Sequence, residues 1–103
     1  MSSQEIARSR IEKLKREFLR VRERDGTPTD YRKVVNAELR HMFRLMKRDD
    51  ASLETMEIVM CAHVAFINTA LFMIDAGVFV TESPREVVHL INAEWELGDA
   101  ENI

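Results

Sequence analysis

Turn-forming residues are scarce in this chain. Three glycines and two prolines stand among 103 residues. That is too few for a many-stranded β fold, which needs a turn signal roughly every 8–12 residues. Cysteine occurs once, as Cys61, so no intramolecular disulfide can form and a reducing, cytoplasmic setting is expected. The sequence holds no CxxC pair, no glycine-rich phosphate loop and no Ser/His/Asp set. Nothing is therefore nominated as an enzyme active site, and no cofactor is expected. The opening stretch MSSQEIARSRIEK is polar and charged where a secretory signal would be apolar.

What is present reads as helix. Hydrophobic residues make up 46% of the chain and charged residues 32%, the balance of a globular domain. The length suits one domain, residues 1–103, with a modest core. The organising stretch is Met56–Ile74. At ~100° per residue, Glu57, Asn68 and Asp75 share one narrow polar strip, and nearly all the rest of the circle is apolar. A surface helix needs an apolar stripe only ~100° wide. This one asks to be covered on nearly every side, and the chain has few neighbours to offer. Ile58–Ile74 is 17 residues long, the lower limit of the ~17–25 that span a bilayer. It also carries His63 and Asn68, costly groups in hydrocarbon, so a buried helix is expected and no membrane partner.

Local signals divide the chain into four helices. Ser2 and Glu5 have capping-box spacing. Ala7, Ile11, Leu14, Phe18 and Val21 follow at steps of four and three, a heptad-like seam. Glu12 is spaced to pair with Arg16, and Lys13 with Glu17. Asp25-Gly26 ends this helix, with Gly26 as the expected C′ residue. Thr27-Pro28-Thr29-Asp30 opens the second helix with a cap, an N1 proline and an N3 acid. Its apolar face is Tyr31, Val35, Leu39, Met42 and Met46, widened by Val34, Phe43 and Leu45. Ser52 or Asp50 caps the third helix, expected from about Leu53 to Ala76 with Gly77 as its stop. Ser83-Pro84-Arg85-Glu86 opens the fourth, which carries Val87, Val88, Leu90, Ile91 and Trp95 and should end at Gly98. The predicted fold is all-α: a small four-helix domain with a long, nearly all-apolar third helix as hub.

Two constellations invite a chemical reading. Glu38/His41 and Glu86/His89 are Glu-x-x-His pairs of the kind di-metal carboxylate bundles use. In an up-down bundle, however, these positions and Glu57 lie at different levels, roughly 10–20 Å apart along the helices. Glu86 also has a capping role. No metal is expected. Cys61 and His63 are two residues apart and so ~200° apart on a helix, which forbids a thiolate–imidazole pair. A buried thiol and a hydrogen-bonded core or interface histidine are expected instead.

Charge is unevenly spread. Residues 1–48 hold 14 basic and 7 acidic side chains, whereas residues 49–103 hold 1 basic and 11 acidic. Arg16, Arg20 and Arg24 form a ridge that could meet phosphates. Interleaved acids weaken it, and the face lacks Asn or Gln to read bases. A nucleic-acid-associated helical protein is thus the alternative, and nucleic acid is not the expected partner.

The leading expectation is a homodimer that buries surplus apolar surface, and a non-enzymatic regulator acting by protein–protein binding. The positions expected at a partner or dimer interface are Ile11, Leu14 and Phe18 on the first helix, Met42 and Phe43 on the second, and Ala62, Ala65, Phe66 and Thr69 on the third. Ala62, Ala65 and Thr69 are small enough for helices to approach closely. In size, four-helix build, lack of catalytic groups and surplus apolar helix, the chain resembles the small helical quorum-sensing antiactivators (QslA-like proteins). That resemblance implies binding to a LuxR-type transcription activator, blocking its dimerisation and DNA binding. It carries no motif, so no site residues transfer. The seams Ile11-Leu14-Phe18 and Met60-Val64-Ile67-Leu71 are connected with such a role by their pattern alone.

Overall fold

The structure, a computed structural model, describes the backbone of residues 3–101 and the side chains of Glu5 and of residues 8–98. Ser2, expected as the first cap, and the side chain of Ala7 lie outside the described residues. Four helices are formed: α1 (Ser3–Glu23), α2 (Pro28–Arg48), α3 (Leu53–Met73) and α4 (Pro84–Glu101). No strand occurs among the described residues. The fold is the expected small all-α domain.

Side-chain caps set three of the helix starts. Thr27 accepts from the Asp30 amide and Asp30 returns a bond from the Thr27 amide at 2.9 Å. This reciprocal box holds the exposed Asp30 carboxyl below its ordinary range, the bond from the Thr27 backbone being the first cause. Ser52 caps α3 through the Thr55 amide. Ser83 and Glu86 exchange the same pair of bonds at α4.

The helix ends differ from expectation in an instructive way. Asp25, Asp50 and Asp75 all take positive φ, at 52°, 57° and 54°. Each is followed by a residue whose amide reaches back across the last turn: Gly26 to Val21, Ala51 to Met46, Ala76 to Leu71. With the inner bonds Asp25 to Arg22, Asp50 to Lys47 and Asp75 to Phe72, these are three Schellman motifs with aspartate at C′. Gly26 is therefore C″, not C′. It is needed there for space, because a Cβ would lie 2.3 Å from Val21 Cγ1. α3 stops at Met73, short of the expected Ala76, and α4 runs through Gly98 to Glu101. The short-range ion pairs of α1 also differ: Glu12 meets Lys15 at 3.3 Å and Glu17 meets Arg20 at 2.9 Å, at i,i+3 spacing.

α3 is the hub, packing on α1, α2 and α4. α2 also touches α1 and α4, whereas among the described residues α1 and α4 do not pack on each other. The helices thus surround α3 on three sides and leave a gap between α1 and α4. The molecule is only 21 Å thick in its short dimension, about two helix layers. Leu14, Phe18 and Val21 of α1, Val35, Leu39 and Phe43 of α2, Met56, Met60, Ile67 and Leu71 of α3, and Val87, Val88 and Ile91 of α4 fill the core.

Candidate interaction surface

The inner side of α3 is the arc carrying Met56, Met60, His63, Val64, Ile67, Ala70 and Leu71, all buried. In the polar strip beside that arc Asp75 is exposed, while Glu57 and Asn68 are half-buried and paired within the fold. Glu57 reaches α4, with His89 Nε2 at 2.8 Å and Arg85 Nε at 3.8 Å. Asn68 clamps the α3–α4 connection: its Nδ2 donates to the Val80 carbonyl at 3.2 Å, and its Oδ1 accepts from the Val80 amide at 2.8 Å. Arg22 of α1 donates to the carbonyls of Ile74 and Asp75, satisfying the end of the helix.

The side left bare is therefore the apolar one. Ile58 is 68% exposed, Phe72 74% and Met73 54%. Between them lie exposed Cys61, Ala62, Ala65 and Thr69, with Phe66 half-buried. Cys61 is thus a surface thiol, not the buried one expected from the helix's composition. The Thr69 hydroxyl donates to the Ala65 carbonyl one turn back at 2.8 Å, which satisfies its proton within the helix. No carboxylate, amine, guanidinium or imidazole interrupts this face from Ile58 to Met73, because Glu57 and His63 point elsewhere. It lies where α1 and α4 fail to meet. Among the described residues α3 is also the one helix long and apolar enough to cross a membrane. Its inner arc is committed to the other three helices.

The expected interface residues separate into two groups. Leu14, Phe18 and Phe43 are fully buried in the core, so their assignment to a contact surface is corrected: no partner reaches them without unpacking the domain. Ile11 and Met42 are half-buried against the same core. Met60, Val64, Ile67 and Leu71 likewise form the inner seam of α3. Ala62, Ala65 and Thr69, with Phe66 at the edge, share the bare face. Ile58, Phe72 and Met73, which supply most of its area, were not singled out. Their signal was the long apolar arc itself, and only the placement of α1, α2 and α4 shows which part of that arc is open.

The two Glu-x-x-His pairs do not converge, and no group of three or more metal-ligating side chains gathers among the described residues. The helices instead exchange the partners. Glu57 meets His89, and Glu38 of α2 lies 3.2 Å from Nε2 of His63 on α3. His63 is 2% exposed, and its contact is in reach but off the line of a well-formed hydrogen bond. Arg10 of α1 donates to the same Glu38 oxygen at 2.9 Å. The His63 imidazole at 3.2 Å is the first cause that holds the Glu38 carboxyl below its ordinary range; burial opposes this and Arg10 assists. One carboxylate therefore ties three helices together. It is an enclosed structural contact.

The basic ridge of α1 is exposed, but Arg20 is engaged by Glu17. Two ion pairs join the basic and acidic halves of the chain, Arg32–Glu82 at 3.4 Å and Arg40–Glu94 at 2.7 Å. No family model, curated protein or solved structure matches the chain.

Proposed function

We propose that this chain is a non-enzymatic cytoplasmic regulator that works by binding protein, and that its first partner is a second copy of itself. The observation that carries this reading is the bare apolar face of α3. Ile58, Phe72 and Met73 together expose on the order of 400 Å² of apolar surface at the two ends of this face, within the ~300–600 Å² of the largest patch on a typical monomer, a patch that is often functional. The pattern is also self-complementary. Ile58, Ala62, Ala65, Thr69 and Phe72 read large, small, small, small, large in either direction. Two antiparallel α3 helices related by a two-fold axis at Ala65 would set Ile58 of each against Phe72 and Met73 of the other, an isologous contact. The incoming helix would occupy the gap between α1 and α4.

In its finer form the proposal follows the resemblance to quorum-sensing antiactivators. The chain would bind a LuxR-type transcription activator and keep it from dimerising and from binding DNA. Sedimentation tests the first step. The wild type should be a dimer and Ala65→Glu a folded monomer, because two carboxylates at the axis cannot be desolvated together. With Cys61→Ser, Ala65→Cys should form a disulfide-linked dimer, whereas native Cys61, about 12 Å from its symmetry mate along the axis, should not. A wild-type monomer at high protomer concentration would refute the dimer. The finer step is tested by operator binding of such an activator with the chain in stoichiometric excess; unchanged operator binding would refute it. The basic first helix, the alternative nucleic-acid surface, gains no support from its ion-paired arginine.

A further inference from the structure

A second surface runs along the seam where α2 and α4 meet least closely. Its floor is Val35, Leu39, Phe43, Val87, Ile91 and Trp95. One end forms a groove of about 290 Å³ between Arg32, Val80 and Leu90. The other forms a hollow of about 370 Å³ between Phe43, Arg44, Ile91 and Trp95. Arg40 lies between the two, its bond to Glu94 closing over the seam. Both partners of that pair are more than two-fifths exposed, as are those of Arg32–Glu82, so opening either clasp costs little.

The α2 rim is Arg32, Asn36, Arg40, Arg44 and Arg48, one residue per turn at i+4 spacing. Towards Trp95 this rim has charge to spare. Arg44 and Arg48 have no carboxylate within 4.0 Å among the described residues, and Lys47 sits over the Phe43 ring at 5.9 Å. Trp95 is 37% exposed with its ring 5.9 Å from that of Phe43. An apolar floor, an aromatic anchor and an unneutralised basic rim together describe a seat for an amphipathic helix.

We infer that the α2–α4 seam docks an acidic amphipathic helix of a partner protein. Its apolar stripe lies over Phe43, Ile91 and Trp95, and its carboxylates meet Arg44, Lys47 and Arg48. Charge complementarity selects this occupant over nucleic acid, because the opposite rim of Glu82, Glu86 and Glu94 supplies no cation to a phosphate backbone, whereas a helix can confine its carboxylates to the Arg44–Arg48 side. The inference rests on reading the chain as a protein-binding regulator. It leaves the α3 face free for the second copy.

Trp95 is the single tryptophan, so its emission reports this site alone. The probes are tryptophan-free helical peptides of about 20 residues. Each has a leucine stripe flanked on one side by glutamine and on the other by glutamate in one peptide and lysine in the other. The glutamate peptide should shift Trp95 emission and bind roughly tenfold tighter than the lysine peptide. Arg44→Glu with Arg48→Glu, both exposed positions, should reverse that order. Equal affinities for both peptides, or no change of order in the double variant, would overturn the inference. So would an equal response to single-stranded DNA, or dissociation of the dimer by the double variant, which would make the occupant a second copy. A double variant that still dimerises and still blocks its activator would leave the regulatory reading standing while removing this site.

Discussion

Replacing Glu38 by alanine takes a carboxylate from two neighbours at once. His63 Nε2, in a residue 2% exposed, loses the acceptor 3.2 Å away, and Arg10 loses its partner at 2.9 Å. A bond to a charged group contributes about 1.5–3 kcal/mol, and a buried donor left unpaired costs about 1–3 kcal/mol. The arginine is less buried, at 27% side-chain exposure, and can turn towards water. Glu38→Ala should therefore cost about 2–4 kcal/mol, a large part of the ~5–15 kcal/mol expected of such a domain. Glu38→Gln keeps an acceptor and should cost less than half as much. Replacing Glu38 and His63 together by leucine should recover most of the loss, because a buried polar pair contributes far less than breaking it costs. The assay is urea unfolding at one fixed protomer concentration, since the proposed dimer would make the midpoint move with concentration. Acid adds a second readout. Ionised Glu38, held below its ordinary 4.5, stabilises the fold above that pH, and the contribution is lost as pH falls through the lower folded value. Glu38→Gln should lack that part of the acid slope. A cost under about 1 kcal/mol for Glu38→Ala, with an unchanged acid limb, would show that the contact does not organise the three helices.

Three further outcomes follow from the helix ends and the connection. Asp50→Gly should stabilise by about 0.5–1 kcal/mol, raising Tm by some degrees, because glycine accepts φ near 57° without strain and removes a negative charge from a helix C-terminus; a lowered Tm would mean the aspartate side chain holds the turn. Gly26→Ala should destabilise by about 1–3 kcal/mol through the clash with Val21, whereas Gly98→Ala, with nothing within 4 Å of its Cβ inside α4, should stabilise by about 0.5–1 kcal/mol; thermal melts that rank them the other way would refute the assignment. Asn68→Asp sets a carboxylate oxygen against the Val80 carbonyl and should speed amide exchange in residues 76–82 while leaving α1 and α2 protected; uniform exchange would refute it.

Local chemistry explains why the helix starts were legible and the helix ends less so. A start is written in residue types: threonine, proline and aspartate in the right order leave few alternatives, and α2 and α4 begin where those residues stand. An end is written in backbone conformation. Glycine is the usual occupant of the left-handed position, so Gly26 and Gly98 draw the eye, yet aspartate takes that conformation at all three ends and Gly98 sits inside a helix. The core was legible where apolar spacing left one face, as with Leu14, Phe18 and Val21. On α3 it was not, because spacing there marks almost every face. A near-continuous apolar circle says how much surface must be covered and nothing about which neighbour covers it.

That ambiguity bears on the candidate surface directly. The polar strip of Glu57 and Asn68 is the natural choice for the side facing water. The fold instead turns it towards α4 and the connection, where His89 and the Val80 backbone satisfy it. Half-buried polar groups are best paired, and α4 and the connection offer these two specific partners. An apolar face has no equivalent demand for a specific neighbour within the chain. It can be left open at a cost that any complementary apolar surface offsets. With Glu57 and Asn68 paired within the fold, the open side of α3 is left to Ile58, Ala65 and Phe72, an exposed apolar face. This is the distribution expected of a chain whose last packing partner is another molecule.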